Sequence, residues 1–292
     1  MTIATIGIIC ALLTMLSWGI GDFLIQRSTR KFGNWETLFL ITFFGAIVLL
    51  PFTFSKISTF LQIGGAPFWI IIIASATMLV AAITEFESLR IGKISIVEPI
   101  WSMEIPVSVF LAFVILRERL SVAVIVLIVA LLTGLILLSA KEKGRFKKML
   151  FEKGAVVALL GAILMGSTNF FVGWGARETD PLMVNFVMNV ILLVISGGFL
   201  IIKGKFFKTF SDLKQNTKPL LIMMILDNGA WIAFAYAMIY APIGIAVALS
   251  ESYIIIAVML GIFVNKETLQ GHQKIGLVVA IISAVILAIL AT

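Results

Sequence analysis

Acidic residues stand inside long apolar stretches of this sequence, where a carboxyl group must be stabilised by something other than bulk water. Glu104, Asp227 and Glu251 lie near the middle of their stretches, and Asn228 directly follows Asp227. A charged side chain at the centre of a bilayer costs at least about 2.5–3.5 kcal/mol, so acids in such positions are usually functional. We predict that these four residues bind a substrate.

Four further acids, Asp22, Glu85, Glu87 and Glu98, lie closer to the basic ends of their stretches, and no lysine or arginine occupies the middle of one. A buried carboxyl group without a basic partner must be protonated, hydrated in a cavity or neutralised by a bound cation. The pattern predicts proton coupling or recognition of an amine, with Asp22, Glu85 and Glu98 in coupling or gating. The alternative is that each acid is protonated and hydrogen-bonded to a neighbouring helix.

Aromatic residues accompany the central acids at helical spacing. Trp101 lies three residues before Glu104, and Trp231 lies four residues after Asp227, so each pair shares a helix face. An aromatic ring beside a carboxylate suits an organic cation, and it equally suits the apolar face of a sugar. We therefore add five residues to the predicted substrate site: Trp101, Trp231, Asn189, Tyr236 and Tyr253. The alternative for the polar ones is that they bridge neighbouring membrane helices.

Two prolines, Pro99 and Pro106, interrupt the stretch that carries Glu104. A proline inside a helix removes a backbone hydrogen bond and kinks the helix, and the freed groups are tolerated in a membrane where they face a cavity. This stretch is therefore the predicted gate.

The sequence contains few residues that could bind a metal ion or a nucleotide. Cys10 is the only cysteine and His272 the only histidine, so neither a thiolate nor an imidazole metal site is expected. No strand precedes the glycine-containing segments, so they do not form a phosphate-binding loop. We predict no metal and no cofactor, and an intramembrane enzyme stays only as a remote alternative.

The elements that must position these residues are membrane-spanning helices. Of 292 residues, 61% are hydrophobic and 13% charged, whereas soluble domains carry about 25% charged residues. The net charge of +7 lies in short connections beside apolar segments, which indicates a lipid bilayer as partner and not nucleic acid. The apolar runs predict ten helices, at 3–25, 34–54, 67–89, 94–116, 121–140, 154–175, 182–202, 219–239, 243–264 and 271–291.

Lysine and arginine fall unevenly on the two faces that these helices define. Eighteen of the 22 lie in the connections that follow helices 1, 3, 5, 7 and 9, and four lie on the face that carries both termini. Cytoplasmic loops are enriched in lysine and arginine. Both termini are therefore predicted to lie outside the cytoplasm, with the chain in the inner, or cytoplasmic, membrane of the cell.

The two halves of the sequence resemble each other. The segment Gly19–Leu24 precedes a basic turn, and Gly166–Phe171 does the same at an offset of 147 residues. We predict a first repeat at 1–140, a basic connecting loop at 141–153 and a second repeat at 154–292. Because each repeat has five spans, the two must cross the membrane in opposite directions, as in many secondary transporters.

The sequence is similar to the EamA-type members of the drug/metabolite transporter superfamily over essentially its whole length. The similarity is carried by Ser17-Trp18-Gly19, by Glu104-Ile105-Pro106, and by Leu116–Leu120, whose pattern recurs at Lys266–Leu269. It implies an all-α fold of ten transmembrane helices around a central cavity, working by alternating access. Both termini tend to face the cytoplasm in that family, which differs from the distribution of basic residues here.

These observations favour a secondary active transporter of small polar metabolites, such as amino acids, amines or related cationic or zwitterionic compounds. Coupling to protons, or exchange, is the expected mode because the sequence contains no nucleotide-binding domain. A carrier of a neutral, sugar-like substrate is the alternative. The predicted partners are a small-molecule substrate and lipid, with the protein a monomer or a homodimer.

Overall fold

The computed structural model describes residues 2–91, 100–139, 155–265 and 268–291 of the chain. Within these ranges all the regular secondary structure is helical. The helices are α1 (Ile3–Lys31), α2 (Asn34–Ile63), α3 (Gly65–Ile91), α4 (Glu104–Ile115), α5 (Val122–Ser139), α6 (Ala155–Glu178), α7 (Pro181–Ile202), α8 (Phe206–Gln215), α9 (Thr217–Tyr240), α10 (Ile243–Ser250), α11 (Tyr253–Asn265) and α12 (Gly271–Leu290).

In the described ranges, eight helices are long and apolar enough to cross a membrane, and α4, α10 and α11 are shorter apolar helices. Large apolar side chains cover the outside of the bundle, among them Phe54, Val122 and Ile202, which are 71%, 77% and 83% exposed. Soluble proteins rarely expose contiguous apolar surface on this scale, whereas lipid solvates it. The chain is therefore a multi-pass membrane protein.

The tight turn between α6 and α7 shows how local sequence places a helix end. The Asp180 carboxylate caps α7 by accepting hydrogen bonds from the backbone N–H groups of Leu182 and Met183, and Pro181 fills the first helical position, where no donor is needed. Lys56 Nζ lies 2.7 Å from the same carboxylate. Burial raises the pKa of Asp180, but the bonds from Lys56 and the backbone outweigh it, so the pKa lies below its usual range.

Two segments that fall between the helices predicted from the sequence, and are therefore expected to be loops, are mainly helical. Residues 55–66 belong mostly to α2, which continues through Pro51 to Ile63, and α3 begins at Gly65. The apolar residues of this segment allow α2 to extend. Gly64 and Gly65 adopt φ values of 53° and 60°, which let the chain reverse over two residues.

Residues 203–218, the second predicted loop, contain the amphipathic helix α8. Phe206 and Phe210 pack on Phe39 of α2, with ring centroids 5.3 and 5.6 Å away, while Phe207 is 84% exposed. A helix with one aromatic face and lysines on the other is typical of the membrane interface. The apolar periodicity of this segment, and not its mean polarity, decides its structure.

The predicted continuous helix at 243–264 is divided by a turn at Glu251 and Ser252 into α10 and α11. The stretch that carries Glu104 is divided in the same way by a turn at Ser102 and Met103, and α4 begins at Glu104. The break precedes Pro106, which falls in the first turn of α4, where a missing backbone donor costs little. Glu104 and Glu251 are 147 residues apart, which is the offset of the sequence repeat.

Helix packing follows the same repeat. The most extensive contacts pair α1 with α9, α3 with α6, α2 with α7 and α5 with α12, and the broken helices α4 and α10–α11 pack on α6 and α1. Exchanging the two halves leaves this set of pairs unchanged. Glycines permit the closest approach, because a Cβ at Gly276 of α12 would lie 2.7 Å from the carbonyl oxygen of Gly134 of α5.

Candidate functional site

A cavity lies between the helices of the two halves, with about 80 Å³ available to the centres of water-sized molecules. By this measure one water needs about 10–15 Å³, so the cavity has room for several waters or a small solute. Its lining contains five acids, four asparagines, and the aromatic residues Trp18, Phe86, Trp231 and Tyr253. The acids and asparagines are Asp22, Glu85, Glu104, Asp227, Glu251, Asn169, Asn185, Asn189 and Asn228.

Most of the residues singled out from the sequence come together here. The cavity is lined by Asp22, Glu85, Glu104, Asn189, Asp227, Asn228, Trp231, Glu251 and Tyr253. These residues come from α1, α3, α4, α7, α9 and α11 and from the turn before α11. Glu98 and Pro99 lie outside the described residues, as do the basic loop at 141–153 and Lys266–Glu267.

Three predicted residues lie away from the cavity lining. Trp101 is buried, and its Nε1 donates a hydrogen bond to Ser88 Oγ at 3.2 Å. Tyr236 stacks on Tyr240 near the Lys56–Asp180 ion pair, and Pro106 belongs to the first turn of α4. The spacing of Trp101 and Glu104 assumes one continuous helix, but the turn at Ser102 and Met103 lies between them.

Asn169 links the two central glutamates. Its Nδ2 donates hydrogen bonds to Glu104 Oε2 and to Glu251 Oε1, both at 3.1 Å, and all three residues are buried. Asn169 Oδ1 is also buried and has no hydrogen-bond partner among the described residues. One amide on α6 therefore joins the two points at which α4 and α10–α11 are broken.

Asn169 is not among the residues predicted from the sequence. A signal was nevertheless present, since Asn169 stands 147 residues after Asp22 and thus takes the equivalent position in the second repeat. Near this position, a serine of each broken helix donates a hydrogen bond to the backbone of a neighbouring helix. Ser108 Oγ donates to the Gly166 carbonyl oxygen at 2.7 Å, and Ser250 Oγ donates to the Ala11 carbonyl oxygen at 3.4 Å.

Asp227 also lines the cavity, one helical turn before a residue of an aromatic cluster. Trp18, Trp231 and Phe234 pack against each other with ring centroids 5.1–5.6 Å apart. Edge-to-face packing of this kind holds the rings in fixed orientations. Trp231 follows Asp227 by one helical turn, so the carboxyl group and the indole lie on the same face of α9.

The asparagines form a hydrogen-bonded wall between α2, α7 and α9. Asn189 Nδ2 donates to Asn228 Oδ1 at 3.2 Å, and Asn228 Nδ2 donates to the Ile41 carbonyl oxygen at 3.1 Å. Gly45 of α2 faces this pair, and a Cβ there would overlap Asn228 Oδ1 and lie 2.5 Å from Asn189 Nδ2. The absence of a side chain at residue 45 therefore makes the amide pair possible.

Replacing Gly45 with alanine is expected to lower the thermal unfolding midpoint in detergent and to weaken ligand binding. Overpacking of a tight contact costs about 1–3 kcal/mol, and here the added methyl group displaces two polar side chains. Gly229→Ala on α9 is the matched control, because a Cβ at Gly229 meets nothing within 4 Å. Equal stability of the two variants would contradict the packing described here.

Known proteins share the fold of this chain and its sequence pattern. A crystal structure of a protein matches this chain with a TM-score of 0.73 and 15% sequence identity, covering 98% of this chain and 97% of the other. That likeness shows the fold. No curated protein matches the sequence significantly. The family model described as the EamA-like transporter family matches residues 5–140 and again 152–289, once in each half. The chain therefore belongs to the EamA-like transporter family.

Proposed function

We propose that this protein is a secondary active transporter that moves small polar, cationic or zwitterionic metabolites by alternating access. The observation that carries the proposal is the polar cavity in the interior of an apolar bundle, built by helices from both repeats around two helix breaks. Substrate sites of secondary transporters lie at the repeat interface and use discontinuous helices in the same way.

The topology we propose has ten membrane crossings in two inverted five-helix repeats. The eight long helices supply eight crossings, the α10–α11 pair supplies a ninth, and the segment ending in α4 supplies the tenth. The symmetric pairing of α1 with α9 and of α3 with α6 supports this plan. We place both termini outside the cytoplasm of an inner membrane, because of the distribution of basic residues.

The charge of the cavity supports a cationic or zwitterionic substrate. The charged side chains in its lining are acidic throughout the part of the chain that the structure describes. A proton or a second substrate molecule would balance these acids when the substrate has left. A neutral sugar-like substrate would use the indoles, the amides and the carboxylates as well, so competition between cationic and neutral compounds separates the two alternatives.

The test is uptake by the purified protein in proteoliposomes, screened against a panel of amines, amino acids and sugars with and without a pH gradient. Glu104→Gln, Asp227→Asn and Glu251→Gln are each expected to lower uptake at least about tenfold while the protein stays folded. Asp212→Asn, on the interfacial helix α8, is the control. Wild-type uptake in all three variants would contradict the site assignment. If the protein takes up none of the compounds, the proposed transport function is wrong.

A further inference from the structure

We propose that Asp227, together with the carbonyl oxygens of Asn185 and Asn189, binds the N–H-bearing ammonium group of a small amine. The inference rests on the proposed transport function and narrows its substrate class from polar metabolites in general to primary and secondary amines. It assigns Glu104 and Glu251 a different role, which is to join the broken helices through Asn169.

Asp227 differs from the other acids of the cavity in its contacts. Glu104 and Glu251 each accept a hydrogen bond from Asn169, and Asp22 and Glu85 take part in interactions of their own. The Asp227 side chain lines the cavity and is only 9% exposed, yet within the described ranges no residue donates a hydrogen bond to it or forms an ion pair with it. A buried carboxyl group in this situation is protonated, hydrated or neutralised by a cation from outside the protein, and the acceptor groups around the cavity favour the cation.

The asparagine side chains are oriented by the backbone. Asn185 Nδ2 donates to the carbonyl oxygens of Pro181 and Trp231, at 2.8 and 3.3 Å. Asn228 Nδ2 donates to two backbone carbonyls, so its Oδ1 must accept from Asn189 Nδ2. A backbone carbonyl accepts only, which fixes which end of each amide faces it. The oxygens of Asn185 and Asn189 are therefore the amide atoms on α7 left for a ligand. Asn169 Oδ1 also has no partner among the described residues, but its amide is the one that holds Glu104 and Glu251.

These acceptors match the chemistry of a protonated amine. A primary ammonium group carries three N–H donors, and the Asp227 carboxylate with two amide oxygens offers one negative charge and three acceptor groups. Trp231 and Trp18 line the same cavity as Asp227 and pack on each other, and a cation in the cavity is attracted to the face of such a ring. Hydrogen bonds to charged partners are stronger than neutral ones, so N–H groups and charge act together.

The same features act against two related classes of compound. A quaternary ammonium ion keeps the charge but has no N–H group, so the three acceptors lose their partners. An amino acid adds a carboxylate to a lining whose described charged side chains are all acidic. The indole N–H groups of Trp18 and Trp231 are neutral donors and provide no countercharge for that carboxylate.

Four probes that share a propyl group test the proposal: propylamine, propyltrimethylammonium, 1-propanol and 2-aminobutyrate. The last is propylamine with a carboxylate on the carbon that bears the amine. Half-saturation concentrations are measured by competition for uptake into proteoliposomes and by the thermal shift of the purified protein. Propylamine is expected to bind at least about tenfold more tightly than each of the others, since a hydrogen bond to a charged group is worth about 1.5–3 kcal/mol. Propyltrimethylammonium or 2-aminobutyrate binding as well as propylamine would overturn the inference.

Variants of Asp227 test the role of this residue directly. Asp227→Asn is expected to weaken propylamine binding at least about tenfold, and Asp227→Glu to retain most of it. Asp212→Asn is expected to match the wild type. If Asp227→Asn folds and binds propylamine normally, the assignment of this residue is wrong even though transport stands. If transport occurs only with the other probes, the amine class is wrong and the transport function stands. If the protein transports none of the screened compounds, both the amine class and the transport function are wrong.

Discussion

Replacing Asn169 with leucine is expected to lower the free energy of unfolding by about 3 kcal/mol, the largest stability effect we foresee for a single uncharged residue. The amide makes two hydrogen bonds to buried carboxyl groups, and each such bond is worth about 1.5–3 kcal/mol. Leucine has the same branched shape and leaves no cavity, but its two methyl groups are larger than the amide atoms, so the loss reflects the two bonds together with some overpacking. The midpoint of thermal unfolding in detergent measures it.

The controls for this prediction separate hydrogen bonding from packing. Gln62→Leu makes a comparable change on an exposed residue of α2, and we expect no loss of stability. Asn169→Asp keeps the shape but removes the N–H donor and adds an acid beside Glu104 and Glu251. Its stability is expected to be low at alkaline pH and to recover as the pH falls, because a protonated carboxyl group can donate again. A fully stable Asn169→Leu protein would show that the link between the broken helices is not structural.

Replacing Arg177 with methionine is expected to open one end of the bundle. Arg177 Nε donates to the Met238 carbonyl oxygen at 2.7 Å, one terminal nitrogen donates to the Ala241 carbonyl oxygen at 3.0 Å, and the other forms an ion pair with Glu118 at 3.1 Å. Glu118 Oε1 in turn accepts a hydrogen bond from the backbone N–H of Gly244 at 3.3 Å. These bonds tie α6 and the start of α10 to the connection after α4, and so join the two repeats.

Cysteine labelling measures this opening, because Cys10 is the only native cysteine. In a Cys10→Ser background, a cysteine replaces the fully buried Ala237, next to Met238 on α9, and reacts with a membrane-impermeant maleimide. Loss of about 1.4 kcal/mol from the closed state raises the open population about tenfold, and we expect at least this increase in labelling rate for Arg177→Met.

Two further variants decide whether the effect is specific. Arg119→Met removes an exposed charge from the same connection as Glu118 and is expected to change nothing. Arg30 stands 147 residues before Arg177, near the end of α1, so Arg30→Met is expected to favour opening of the opposite end and to slow labelling at Ala237. An unchanged rate in Arg177→Met, or the same increase in Arg119→Met, would refute the role of the Arg177–Glu118 pair.

The sequence determines the class of fold because composition acts on every residue at once. Long apolar runs with few charges have one stable arrangement, which is a bundle of helices in lipid. The repeat offset of 147 residues, visible at Gly19 and Gly166, also relates Glu104 to Glu251 in the structure. Acids in the middle of apolar runs identify the central cavity for the same reason, since their burial is too costly to be accidental.

Only the tertiary structure decides which polar groups meet. Helical periodicity predicts that Trp231 shares a face with Asp227 and Trp101 with Glu104. In the structure Trp231 lines the cavity, whereas a turn separates Trp101 from Glu104 and Trp101 bonds to Ser88. No proline stands at the helix break at Glu251, so the sequence does not indicate this break. The bridge from Asn169 to two glutamates depends on three helices distant in sequence. Periodicity within a helix is local, whereas the partner of each face is set by packing between helices about 8–10 Å apart.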